Sequence, residues 1–203
     1  VLLATKPQQA DGINLVVDVG TNAEILLAGK GRILAASSST GPAFEGAQIN
    51  SGQRATPRAI ERVRINPENG KARFKVIGVD PWSDEEGFLD ATKKTGVTGI
   101  CGSGIIEVVA ELLLAKLMTA DGVIGGEGTN TSEYIEPDGR TFSYVLYKSP
   151  DGGKTISVTQ NDVRAVQLAK AALYAGVRLL MDYLETDQID SIQLAGAFGS
   201  HID

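Results

Sequence analysis

Three short apolar segments near the start of the chain, separated by tight turns, constrain the fold most strongly. They cover Ile13–Asp18, Glu24–Ala28 and Arg32–Ser37, and glycine lies in both of the connections between them. Short apolar runs bounded by turn residues are typical of β-strands joined as hairpins. The sequence therefore predicts an antiparallel three-stranded meander at the start of the fold.

The first connection of this meander carries an acid at the exit of a strand. In LVVDVGTNAEILLAG, apolar residues lead to Asp18, and the chain then turns through Gly20, Thr21 and Asn22 into another strand. A plain hairpin is one interpretation, since Asp, Gly and Asn are common in turns. In the other, backbone N–H groups and the Thr21 hydroxyl bind a phosphate, which Gly20 lets approach closely. Because Asp18 would repel a phosphate, this second interpretation requires Mg²⁺ near its carboxylate, held through water.

Two further glycine-rich loops favour a nucleotide site. GICGSGII leads into a predicted helix with Ser103 as N-cap. It is either a well-made helix start or an anion site at the positive helix end, formed by Gly102, Ser103 and Gly104. IQLAGAFGS places Gly196 and Gly199 beyond a buried strand, where ligands of α/β sheets bind, although a plain strand-to-helix turn has the same composition. Both glycines and the DVGTN turn follow strands that an α/β sheet would place as near neighbours.

The remaining pattern gives a coarse order of elements. A helix is predicted from Gly104 to about Met118, and another is capped by Thr159 and runs to about Leu184. Ala59–Val63 is predicted to be helical. Further strands are expected at Val63–Ile65, Ala72–Val76, Phe142–Tyr147, Thr155–Val158 and Ile189–Leu194.

These elements predict an α/β fold of the ribonuclease-H-like type, as found in each lobe of actin, sugar kinases and heat-shock ATPases. Its order is βββαβαβ once insertions near 38–98 and 122–153 are set aside. Residues 1–12 are expected to be a lead-in, and 13–203 to form one lobe that lacks its final helix. Val1 in place of Met and the strand close to Asp203 suggest that the sequence was cut from a longer chain.

Composition and charge exclude several classes of protein. A hydrophobic content of 42% with 22% charged residues is ordinary for a soluble globular protein. The net charge of −6 and the acidic pI of 4.9 argue against nucleic-acid or anionic-membrane partners. No apolar run approaches the roughly 18 residues of a membrane helix. Cys101 is the single cysteine, which excludes an internal disulfide or a CxxC metal clamp, so a reducing cytoplasm is expected.

Other polar residues have both a structural and a functional interpretation. Asp18 and Glu24 are the candidate catalytic residues, and Glu24, which follows the turn, points either to the nucleotide or into solvent. Glu45 lies in a long loop with the same two possibilities. Gln160 and Asp162 open the second long helix, and Asp162 is expected to cap it. Cys101 is expected to be a small buried apolar residue rather than a nucleophile. His201 receives no role.

Five stretches together resemble the C-terminal ATPase region of reductive activators of corrinoid proteins. They cover nearly the whole chain from about Ile13, and the resemblance weakens through 122–149. They are LVVDVGTNAEILLAG, SSSTGPAFEGAQINSGQRATPRAIERV, GICGSGIIEVVAELL, VTQNDVRAVQLAKAALYAGVRLLM and IQLAGAFGSHID. The resemblance implies a two-lobed actin-like ATPase that couples ATP hydrolysis to reduction of a Co(II) corrinoid to Co(I), restoring a methyltransferase cofactor.

The resemblance also assigns roles to motifs. DVGTN would be the phosphate motif of the second lobe, and LAGAFG, Leu194–Gly199, would contact adenosine through Gly196 and Gly199. ATP and Mg²⁺ are then the expected cofactors, and the partners are a corrinoid protein and an upstream lobe. A [2Fe–2S] cluster is expected only in an N-terminal domain outside this sequence, and the 203 residues alone are expected to be inactive. The alternative is a lobe of a small-molecule kinase or a nucleotide-sensing interaction module on the same fold.

Overall fold

The structure is a computed structural model, and it describes residues 1–196. Single 3-10 turns lie at Pro7–Gln9 and Pro42–Glu45. The helices are α1 (Leu2–Thr5), α2 (Phe88–Thr92), α3 (Gly102–Leu114) and α4 (Gln160–Leu184). The strands are β1 (Asn14–Asp18), β2 (Asn22–Gly29), β3 (Arg32–Ser39), β4 (Ala59–Ile65), β5 (Ala72–Val76), β6 (Gly99–Ile100), β7 (Ile135–Asp138), β8 (Thr141–Lys148), β9 (Thr155–Thr159) and β10 (Ser191–Ala195).

The chain divides into two compact units. The first combines residues 1–42 with the chain from Gln167 onward, and the second is Ala43–Val166. Helix α4 begins in the second unit and ends in the first. The long stretch between β3 and α4 therefore forms a body of its own.

The first unit contains a four-stranded sheet in the order β10-β1-β2-β3. Strands β1, β2 and β3 pair antiparallel, which confirms the predicted meander, and β10 lies parallel to β1. Lys30 and Gly31 both have positive φ, 50° and 72°, as a two-residue hairpin turn requires. This turn sets Gly29 opposite Arg32, and the same register sets Asn22 opposite Ser39.

Helix α4 covers one face of this sheet. Its buried residues Leu180, Met181 and Leu184 pack with apolar side chains of β1 and β2. Close approach is possible because residue 176 is glycine, where a Cβ would lie 2.6 Å from Ile25 Cδ1. Since side chains alternate along a strand, polar residues of β1 and β2 are left on the opposite face. The polar residues of the candidate site on β1 and β2 lie on that opposite face.

In the second unit, α3 lies along β4 and binds its backbone through two acids. Glu107 accepts the N–H of Val63 at 2.7 Å, and Glu111 accepts the N–H of Ile65 at 2.8 Å. The prediction of a helix at Ala59–Val63 was wrong, because these residues belong to strand β4. Branched side chains and the carboxylates of α3 stabilise the extended backbone there.

The order of elements also differs from the expected βββαβαβ. The helix and strand in the middle of that expected order correspond to helix α3 and to strands β8 and β9. These elements lie in the second unit. Strand β8 pairs with β7 and β9 in a separate three-stranded sheet, order β7-β8-β9, and a third sheet has the order β5-β4-β6. Strand order in sequence could not reveal this, because neighbours along the chain need not share a sheet.

Of the two predicted helix N-caps, one is confirmed and the other is wrong. Thr159 and Asp162 cap α4 reciprocally: the N–H of Thr159 donates to Asp162 Oδ2 at 2.8 Å, and the N–H of Asp162 donates to Thr159 Oγ1 at 3.2 Å. Helix α3 begins at Gly102 with Cys101 as N-cap, so Ser103 is not the cap as predicted. It ends at Leu114, one turn before the expected Met118.

Candidate functional site

Asp18 lies where β1 ends, between two neighbouring strands. It is opposite Glu24 of β2 and opposite Ala195 of β10. Gly196 follows with φ +76°, and a Cβ built there would overlap the Asp18 carboxylate. The half-buried acid and the start of the LAGAFG loop are thus in direct contact at one edge of the sheet. Gly199 and His201 lie outside the described residues.

The DVGTN turn is bound to the end of β3 through its carbonyl groups. Thr40 Oγ1 donates to the carbonyl oxygens of Gly20 at 2.6 Å and Thr21 at 3.1 Å. The N–H of Gly41 also donates to the Thr21 carbonyl, at 3.0 Å. Thr40 is buried, whereas Thr21 is exposed. Thr40 and Gly41, at the end of β3, therefore hold the carbonyl groups of the turn in place.

Two polar residues of β2 share the Asp18 face of the sheet. Glu24 is on this face because it pairs directly with Asp18, and Asn22 lies two residues before it. Both side chains are exposed and accept hydrogen bonds from β3. Ser37 Oγ donates to Glu24 Oε1 at 3.0 Å, and Ser39 Oγ donates to Asn22 Oδ1 at 3.3 Å. The face carries Asp18, Glu24 and Asn22 side by side.

The glycine-rich start of α3 belongs to the second unit, where packing accounts for its composition. Gly102 and Gly104 are buried, and a Cβ on Gly104 would lie 2.5 Å from the carbonyl oxygen of Ile60. Ser103 Oγ donates to the carbonyl of Glu61 at 3.0 Å, and its hydroxyl lies 3.3 Å from Cys101 Sγ. Each of these residues therefore has a partner in the surrounding structure.

The other sequence candidates are structural or peripheral. Cys101 is 1% exposed, as expected for a small apolar residue. Asp162 also accepts the N–H of Asn50 at 2.8 Å, so its two oxygens stabilise the backbone. Gln160 links to the backbone of Gly122 and Ile124 through its amide. Glu45 lies exposed at the end of a 3-10 turn.

A few broader features of the described residues also bear on function. Within residues 1–196, no cluster of three or more His, Cys, Asp or Glu side chains could hold a metal ion by itself. A cation at Asp18 would therefore need further ligands from water and from a bound anion. None of the helices in this part of the chain combines the length and apolarity needed to cross a membrane.

Comparison with protein families gives a match over nearly the whole chain. Residues 12–203 match the model described as the C-terminal domain of RACo, the ASKHA domain. The chain belongs to this family. ASKHA domains are actin-like ATPase domains, so the mixed α/β architecture and its actin-like class agree with the fold predicted from the sequence.

Two similar proteins are much longer than this chain. The chain is 38% identical to the corrinoid activation enzyme RamQ of Eubacterium limosum, over 94% of this chain and 31% of that protein. It is 28% identical to a [Co(II) methylated amine-specific corrinoid protein] reductase of Methanosarcina barkeri, over 94% of this chain and 33% of that protein. The chain spans about a third of these relatives.

A solved structure agrees with the sequence comparisons. The structure titled reductive activator for corrinoid, iron-sulfur protein matches 99% of this chain and 30% of its own chain. The TM-score is 0.78 and the sequence identity is 33%. The general fold of this chain is therefore one observed in a related protein.

Three residues of the site escaped the sequence analysis. Ser37, Ser39 and Thr40 bind the turn and β2 from the end of β3. Their signal was the polar run SSST at the end of a strand whose two-residue turn fixes the register. Counting across that turn places Ser39 opposite Asn22.

Proposed function

We propose that this RACo C-terminal domain is the ATP-binding second lobe of a protein that reductively reactivates a corrinoid methyltransferase protein, from Co(II) to Co(I). The observation that carries the proposal is the contact between Asp18 and Gly196. It joins the DVGTN turn to the LAGAFG loop at the carboxyl ends of two parallel strands, where ligands of α/β sheets bind. The corrinoid partner is inferred from the names of the similar proteins.

The residues at this edge fit an ATP molecule with Mg²⁺. Glycine at position 196 lets the Asp18 carboxylate lie against the backbone of the LAGAFG loop, and Thr21 and Asn22 are exposed in the neighbouring turn. Mg²⁺ keeps several waters and uses one or two carboxylates together with phosphate oxygens. Asp18 supplies such a carboxylate, with Glu24 beside it. When bound, the cation would neutralise phosphate charge.

The side chains of this lobe would then divide the work of binding and hydrolysis. The turn N–H groups and the Thr21 hydroxyl would hold phosphate oxygens, while Gly196 and Gly199 would admit the nucleoside. Asp18 would bind the cation through water. Glu24, whose Oε1 accepts the Ser37 hydroxyl, would orient an attacking water. Gly102, Ser103 and Gly104, which pack within the second unit, receive no ligand in this proposal.

The proposal also specifies the fold. The first unit is the ribonuclease-H-like core of the lobe, and the second unit, Ala43–Val166, is inserted between β3 and the part of α4 that begins at Gln167. An opposing lobe with its own phosphate turn, and a domain carrying a [2Fe–2S] cluster, would come from the part of the protein that the longer relatives possess.

Reconstitution of the full protein tests this function. The purified protein, MgATP and a low-potential reductant would be mixed with a Co(II) corrinoid protein, and the Co(II) and Co(I) absorption bands followed. We expect Co(I) to form with ATP and not without it. Equal formation of Co(I) in the absence of nucleotide would contradict the proposal, and phosphorylation of a small molecule would indicate a kinase.

The 203 residues alone provide a second test. Without an opposing lobe the phosphate contacts are incomplete and open to water, which weakens charge–dipole interactions. We expect MgATP to bind at about 1 mM or weaker, near 4 kcal/mol, without turnover above background. Micromolar binding by these residues would contradict the half-site interpretation.

A further inference from the structure

The polar run at the end of β3 is built around a buried hydroxyl that contacts the candidate phosphate turn. Thr40 is 6% exposed, and its Oγ1 lies 2.6 Å from the Gly20 carbonyl oxygen and 3.1 Å from that of Thr21. The next residue, Gly41, adds its N–H to the same Thr21 carbonyl. Two successive carbonyl groups of the turn are thus fixed by one short segment.

Fixing these carbonyls also fixes the adjacent N–H groups. The peptide bonds of the described residues are trans, so the C=O and N–H of each planar peptide point in opposite directions. The Gly20 carbonyl shares its peptide with the N–H of Thr21, and the Thr21 carbonyl shares its peptide with the N–H of Asn22. With both carbonyls directed at Thr40, both N–H groups are directed away from it. Successive N–H groups on one side of a turn form an anion-binding concavity.

We propose that Thr40 is a positioning residue that orients the Thr21 and Asn22 N–H groups toward the phosphates of the nucleotide. The proposal rests on the function proposed above and adds a residue to it that does not touch the ligand. A threonine hydroxyl suits this role because it donates to carbonyls whose rotation would otherwise turn acceptor oxygens toward an anion. The nucleoside side of the site, at Gly196, does not depend on Thr40.

The test compares substitutions that remove and retain this hydroxyl in the full-length protein. Thr40→Val keeps the shape of the side chain without the donor, and Thr40→Ser keeps the donor. Ser38→Ala is the matched control, since Ser38 Oγ donates to the carbonyl of Ala172 in helix α4 at 2.6 Å and not to the turn. Calorimetry would measure binding of MgATP, MgADP and adenosine to each protein.

We expect Thr40→Val to weaken MgATP and MgADP binding about tenfold and to leave adenosine binding within about twofold. Thr40→Ser and Ser38→Ala should bind all three ligands like the unmodified protein. A folded Thr40→Val protein with unchanged MgATP affinity would overturn the positioning role and leave the proposed function intact. Equal losses for adenosine and MgATP would indicate general distortion and also overturn the role.

A second measurement does not require the variant to fold. In the unmodified protein, the amide resonances of Thr21 and Asn22 should shift on addition of MgADP and remain in place on addition of adenosine. Binding of MgADP without a shift of either amide would overturn the role. If the unmodified protein binds neither nucleotide, the proposed function fails, and the role of Thr40 fails with it.

Discussion

The DVGTN turn after β1 and the GICGSG segment at the start of α3 are similar in composition but differ in what surrounds them. In the second unit, Gly104 lies against the backbone carbonyl of Ile60, and Ser103 binds the carbonyl of Glu61. At the turn, Gly196 lies against the half-buried carboxylate of Asp18, and Glu24 and Asn22 are exposed beside it. Gly104 allows helix α3 to approach strand β4 closely, whereas Gly196 borders a carboxylate of the candidate site.

This difference shows that the role of a glycine-rich motif depends on which atoms lie next to the position that a Cβ would occupy. A backbone carbonyl there indicates close packing, since the carbonyl cannot move without moving its strand. A half-buried carboxylate there indicates a site instead, because such an acid contributes little apolar packing. Substitutions at the two places should therefore affect different quantities, stability in one and nucleotide affinity in the other.

The largest effect is expected from Gly104→Val. Its side chain would meet the Ile60 carbonyl and the buried Ile100 side chain, so we expect the free energy of unfolding to fall by about 3 kcal/mol or more. Denaturant titration of the full-length protein would measure this loss. A stable Gly104→Val protein that no longer binds ATP would reverse the comparison and make the α3 start the ligand site.

Gly196→Val should have the next largest effect, on affinity. A branched side chain is strained at φ +76° and overlaps Asp18, so ATP affinity should fall at least ~100-fold. Calorimetry would measure it. Gly139→Val is the control, because Gly139 has φ +61° with no neighbouring atom within 4 Å of a built Cβ. Equal ATP affinity in the Gly196→Val and unmodified proteins would remove Gly196 from the site.

Asp18→Ala should lower Mg²⁺-dependent ATP turnover of the full-length protein at least ~10-fold, about 1.4 kcal/mol of transition-state stabilisation. The fold should be retained, since a half-buried acid at a strand exit contributes little apolar packing. Steady-state kinetics at several Mg²⁺ concentrations would measure the change. Unchanged turnover in the folded variant would show that the turn is a plain hairpin.

The smallest effect is expected from Ser103→Ala. Loss of its hydrogen bond to the Glu61 carbonyl should cost about 1 kcal/mol of stability and leave ATP affinity unchanged. Thermal unfolding with and without MgATP would separate the two quantities. A clear loss of affinity at constant stability would return the α3 start to the nucleotide site and weaken the contrast between the two loops.

Much of the first unit and the start of helix α4 could be predicted from local patterns. The meander, the strand Ser191–Ala195 and the cap formed by Thr159 and Asp162 depend on contacts between near neighbours or on strong apolar runs. The helix predicted at Ala59–Val63 failed for the opposite reason. Its residues are extended because they pair with strands β5 and β6, and Val63 also donates its N–H to Glu107 of α3, 44 positions away.

The sequence by itself determined the family, the three-stranded meander and the candidacy of Asp18, Gly20, Thr21, Asn22 and Gly196, because these depend on residue types and short spacings. The tertiary structure alone decided which glycines meet a carboxylate and which meet a backbone carbonyl. It also decided that the stretch between β3 and α4 forms a separate unit, and that Thr40 binds the turn. These are contacts between residues far apart in sequence, and they exist only once the strands have paired and set their register.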